Sequence, residues 1–68
     1  MTNTEYQVFR QAGAEAAASS IDAHGERVEL ELAYDFIREI GLETEAFTLP
    51  LSPNAEQLAA FAEGYYAD

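Results

Sequence analysis

The stretch from Glu26 to Leu42, ERVELELAYDFIREIGL, constrains the fold more than any other part of the chain. Read at about 100° per residue, Val28, Leu32, Phe36 and Ile40 form one row at i+4 spacing, and Leu30, Ala33, Tyr34 and Ile37 continue the same apolar arc. A helix apolar over more than half of its circumference needs cover on two sides. Its remaining narrow strip holds Arg27, Glu31, Asp35, Arg38 and Glu39. Gly41 stands where a left-handed cap would close the helix, with Leu42 folding back on Ile37. The pattern predicts a central helix, near Glu26 to Ile40, in an all-α three-helix bundle.

A competing pattern shares these residues. Arg27 to Leu32, RVELEL, alternates strictly, with Val28, Leu30 and Leu32 on one face and Glu29 and Glu31 on the other. The alternative fold is therefore α+β, with a short strand at 27–32 and a helix only from Ala33 to Ile40. The helical reading sets Glu29 awkwardly inside the apolar arc. Against the strand, Glu and Leu are good helix formers and the helical period continues to Ile40.

The flanking segments complete the bundle. Thr2, Asn3 and Thr4 offer N-cap oxygens to a first helix near Thr4 to Ala23, with Glu5 in its first turn. Tyr6, Val8, Phe9, Ala12, Gly13, Ala16 and Ser20 share its inner stripe, which is bulky only at its start; farther on, small residues let another helix approach closely. His24-Gly25 reads as the end of that helix. Glu43 to Pro50, ETEAFTLP, reads as an extended segment between the second and third helices that lays Phe47 and Leu49 on the bundle; Pro50 and Pro53 keep it from being a central strand. Ser52-Pro53 marks the start of a third helix, near Pro53 to Tyr66, whose inner face carries Leu58, Phe61, Ala62 and Tyr65. Ala60 and Gly64 fall on its outer face. The expected core is Phe9, Leu32, Phe36, Ile37, Ile40, Leu58 and Phe61, and truncating a core Phe36 to alanine would cost about 3–5 kcal/mol.

Sixty-eight residues predict a single helical domain, 1–68, that buries about 60% of its unfolded surface. The chain has no cysteine and one histidine, so no disulfide, thiolate metal site or conventional zinc centre is expected, and no cofactor. His24, between Asp22 and Glu26, reads as a solvated turn residue. The polar start MTNTEYQVFRQ has no signal-peptide pattern, and no apolar run approaches the ~20 residues that cross a bilayer. A soluble, cytoplasmic protein is the expectation. Enzymatic function is not expected: the histidine lies in a turn, Gly13, Gly25, Gly41 and Gly64 are isolated rather than gathered in a phosphate-binding loop, and three short helices offer no cleft for paired carboxylates.

Charge carries the functional content. Thirteen acidic residues face three arginines and no lysine, for a net charge of −10. Such a surface repels nucleic acid and anionic membranes and favours a basic protein partner. Glu31, Asp35 and Glu39 recur every four residues on the strip of the central helix, about 6 Å apart along the axis. Glu43 and Glu45 prolong the line past its expected end. This ladder is close in spacing to successive phosphates on one nucleic-acid strand and could occupy an arginine- and lysine-lined groove. Like charges at i, i+4 destabilise a helix by a few tenths of a kcal/mol each, so their repetition needs a reason. Arg27 and Arg38 interrupt the strip. Glu31, Asp35, Glu39, Glu43 and Glu45 are the candidate partner-binding residues.

In size, charge and lack of cysteine, and in the acidic run Glu26, Glu29, Glu31, Asp35, Glu39, Glu43 and Glu45, the chain resembles small phage-encoded inhibitors of host defence complexes, the anti-CRISPR proteins among them. The resemblance is to a class, with no diagnostic motif. It implies an inhibitor in the host cytoplasm, monomeric or homodimeric, that plugs the basic nucleic-acid-binding surface of a protein complex. The alternative is a helical structural or regulatory module, a homodimer or accessory subunit, that docks through the small-residue stripe of the first helix or the Tyr65-Tyr66 end. Charge would then serve solubility alone.

Overall fold

The computed structural model describes residues 2–19, 25–45 and 48–67 and shows an all-α three-helix bundle. Helix α1 spans Asn3–Ser19, α2 Leu30–Thr44 and α3 Ala55–Tyr65. No described residue belongs to a strand. The expected reach of the first helix to Ala23, its His24 terminus and the packing of Phe47 fall outside the described residues.

Thr2 starts α1: its hydroxyl oxygen accepts from the Glu5 N–H at 3.1 Å, relieving one of the unpaired donors of the first turn. Asn54 does the same for α3, two residues later than the expected Ser52 cap. Its side chain accepts from the Gln57 backbone N–H at 2.8 Å, and the Gln57 side-chain oxygen Oε1 accepts from the Asn54 backbone N–H at 2.9 Å, a reciprocal capping box. The remaining Gln57 amide donates to Glu5 at 2.8 Å, which ties the first turns of α1 and α3 together. The two helices run in the same sense and form the largest interface of the bundle.

That interface is built from small residues. Ala12, Gly13 and Ala16 of α1 and Ala60 and Gly64 of α3 are buried. Ala60 and Gly64 thus face inward, contrary to the sequence expectation. A Cβ on Gly13 would lie 2.8 Å from the Tyr65 backbone nitrogen, and one on Gly64 would lie 2.9 Å from the Arg10 carbonyl carbon. The backbones meet where side chains would otherwise stand, and α1 and α3 each keep a glycine for this reason despite its cost of about 1 kcal/mol in helix propensity.

Around this contact lies an aromatic core. Phe9, Ala33, Tyr34, Ile37, Leu49, Phe61 and Tyr65 are buried with the small residues, and Val28, Leu30 and Ile40 pack on their edge. Phe61 takes the Tyr34 ring edge-on, with centroids 5.1 Å apart, and stacks on Tyr65 at 6.1 Å. Both buried tyrosines keep their hydroxyls satisfied by donating to connecting segments. Tyr65 donates to the Val28 carbonyl at 2.7 Å, and Tyr34 to the Pro50 carbonyl at 2.6 Å. One tyrosine holds the chain entering α2 and the other holds the chain that follows it.

These anchors move α2 relative to its expected limits. Arg27, with its guanidinium 5.7 Å from the Tyr65 ring centroid, and Val28, with its carbonyl engaged, approach the end of α3. The helix therefore begins at Leu30, after a Glu29 held at φ −59°, ψ 147°. It then runs through Gly41, which is buried inside the helix and not a left-handed cap. Leu42 is exposed and does not fold back on Ile37. The left-handed position is taken four residues later by Glu45, at φ 58°, and the last turn is tightened by the Thr44 hydroxyl, which donates to the Ile40 carbonyl at 2.8 Å. Glu43 and Thr44 accordingly belong to the helix, not to an extended segment; of that segment, Leu49 is buried as expected.

The face of α2 that enters the core also differs. Ala33, Tyr34, Ile37 and Gly41 point inward, whereas Leu32 is 59% exposed and Phe36 is 46% exposed. Tyr34 and Leu49 are buried in the core instead. Phe9, Ile37 and Phe61 are buried as expected, and Ile40 and Leu58 are half-buried. Among the described residues no helix is long and apolar enough to cross a membrane.

Candidate partner-binding face

Five carboxylates were expected to form one strip, and four share a surface. Glu31 lies in the first turn of α2, followed by Asp35, Glu39 and Glu43, and all four are exposed. The helix reaches Glu43 only because it passes Gly41. Glu45 is exposed too, but its left-handed backbone turns it off the helical row. No hydrogen bond or ion pair between described residues engages any of the five. By contrast Glu63 is occupied: it accepts from the Tyr6 hydroxyl at 2.5 Å and lies 3.8 Å from Arg10. The hydrogen bond to Glu63 pushes the Tyr6 hydroxyl above the ordinary tyrosine range.

Of the two arginines expected to interrupt the strip, Arg27 stands off it, while Arg38 stays beside Asp35, one turn on along α2. Arg27 lies on the Tyr65 ring at the end of α3. Arg38 is half-buried toward the Tyr34 side, its Nε without a hydrogen-bond partner, and its charge is felt by the Tyr34 hydroxyl. Burial is the main cause that pushes Tyr34 upward; Asp35 adds to it and Arg38 opposes it.

The same face carries the two apolar residues missing from the core. Two helical turns on, at i+7, Glu39 and Glu43 stand in line with Leu32 and Phe36, with Asp35 and Glu31 alongside. Sequence reasoning missed this mixture. The signal for it was Glu29 inside the apolar arc, together with Glu39 and Glu43 two turns on from Leu32 and Phe36. Beside the face, Glu31, Tyr34, Asp35, Leu51, Ser52, Pro53 and Leu58 line a shallow cleft of about 310 Å³, and Leu51 at its rim is 72% exposed.

The surfaces considered for apolar docking fare differently. The small-residue stripe of α1 is buried against α3, and Tyr65 is fully buried; Tyr66 is exposed. A wider hollow of about 520 Å³ lies over Asn3, Thr4, Gln7, Val8, Gln11, Ala12 and Glu15 of α1, with a mainly apolar lining surface. Among the described residues no three histidine, cysteine or carboxylate side chains gather in a group that could hold a metal.

Comparison with protein-family models, curated proteins and solved structures finds no match to this chain. The functional reading accordingly stands on the residues themselves.

Proposed function

We propose that this chain is a small binding protein, an inhibitor that presents the outer face of α2 to a basic, nucleic-acid-binding surface of a partner protein in the cytoplasm of a host cell. A host defence complex of the CRISPR-Cas kind is a partner of the right chemistry. The observation that carries the reading is the set Glu31, Asp35, Glu39 and Glu43, exposed on one helix and held in no ion pair among the described residues. Four carboxylates on one helix repel each other, and a basic partner turns that repulsion into attraction. A net charge of −10 with no lysine extends the same field over the whole molecule and would steer association with a cationic groove.

The test is affinity capture from host lysate at low and high salt, with parent chain and with the variant Glu31→Lys, Asp35→Lys, Glu39→Lys. A partner retained by the parent, lost with rising salt, lost with the variant and displaced by added nucleic acid supports the reading. Normal capture by the variant would overturn it.

A second reading is favoured by the exposure of Leu32 and Phe36. In it the chain is a helical interaction module that docks through apolar contact, and charge serves solubility. Capture would then be insensitive to salt and to the charge reversal but lost when Leu32 and Phe36 are replaced.

A further inference from the structure

We infer that the outer face of α2 seats on a surface that combines an apolar pocket with a rim of arginine or lysine, Leu32 and Phe36 entering the pocket while Glu31, Asp35, Glu39 and Glu43 meet the rim. This rests on the acidic-face reading and narrows the partner it allows. Leu32 and Phe36 are neighbours one turn apart on a continuous helix, 59% and 46% exposed, so they form one apolar step and not two scattered residues. Carboxylates border that step along the helix and on its flank.

Charge decides the occupant. A second copy of the chain would set these carboxylates against their own kind, and nucleic acid or an anionic membrane would meet the same repulsion. A groove made only of cations, fit for a bare phosphate strand, would place Leu32 and Phe36 against charged groups and desolvate both sides without compensation. A basic amphipathic element satisfies the whole face at once. The face therefore recognises a basic protein surface by apolar anchoring as well as by charge, and its affinity keeps a part that salt does not screen.

The experiment is an NMR titration of the full ¹⁵N-labelled chain with two probes of equal charge, an oligolysine and an amphipathic leucine–lysine helix. The amphipathic probe is expected to bind at least about tenfold more tightly, with shifts centred on α2 from Leu32 to Glu43. The double variant Leu32→Ser, Phe36→Ser should lower it to the level of oligolysine and leave oligolysine binding as it was. The unchanged oligolysine affinity and helical circular dichroism verify that the variant folds, and Leu32→Ala with Phe36→Ala repeats the comparison at lower helical cost. Equal affinity of both probes for the parent, or a preference that survives both double variants, overturns the inference and leaves the acidic-face reading intact. Oligolysine binding unaffected by the triple charge reversal removes both.

Discussion

Gly13 and Gly64 hold reciprocal positions in the bundle: each abuts the backbone of the other's helix, Gly13 against Phe61 and Tyr65, Gly64 against Arg10 and Ala14. Neither helix can accept a methyl group there unless the two backbones separate. Because α1 and α3 form the main interface, that separation would loosen the layer on which α2 packs.

Gly13→Ala and Gly64→Ala should therefore each destabilise the chain. Helix propensity alone would make them stabilising by about 1 kcal/mol. Overpacking against backbone, which cannot rotate away as a side chain can, should outweigh that gain and leave a net loss of about 1–3 kcal/mol. Urea denaturation of both variants checks the sign; a stabilised variant would show that the helices do not meet at these glycines.

Phe36 and Phe61 should part company on truncation. Phe61 is fully buried between Tyr34 and Tyr65, so Phe61→Ala should cost about 3–5 kcal/mol and unfold much of the population. Phe36 is 46% exposed, and Phe36→Ala should cost less than about 1 kcal/mol. The expectation drawn from periodicity, a core Phe36, is reversed. Thermal melts of the two variants side by side decide it: equal losses would return Phe36 to the core.

Alkaline unfolding should be governed by tyrosine. The chain has no lysine and no cysteine, so above the range of the α-amino group its four tyrosines are the side chains that titrate before arginine. Burial raises Tyr34 and Tyr65 above the ordinary value of about 10. The folded state thus binds their protons more tightly than the unfolded state. Their contribution is fully present below about pH 10 and is lost as pH rises through the higher folded values. Urea midpoints measured from pH 8 to 12 should be flat and then fall. Tyr65→Phe should lower the plateau, because the bond to Val28 is lost, and flatten the fall. A parent chain whose midpoint holds steady to pH 12 would contradict the buried placement of both rings.

Much of this structure is legible in the residues alone. Three helices, their order, the close approach of α1 through its small stripe, the burial of Phe9, Ile37, Phe61 and Leu49, and the exposure of Glu31, Asp35 and Glu39 follow from period, caps and charge. Local chemistry suffices there because each signal has one reading: an Ala/Gly stripe admits a neighbouring backbone, and an unpaired carboxylate stays in water. The rotation of α2 has no such signal. Its apolar arc covers so much of the circumference that either the Leu32–Phe36 row or the Ala33–Tyr34–Ile37 row could face inward. Long-range contacts choose between them. Tyr65 engages the Val28 carbonyl and delays the helix to Leu30; Tyr34 turns inward onto Phe61 and reaches Pro50; Gly41 enters the buried face, and the helix runs on to Thr44. Those bonds join residues up to 37 positions apart, beyond the reach of any local pattern. The period of α2 is a property of its sequence, but its phase was set by the tyrosines that grip the segments on either side.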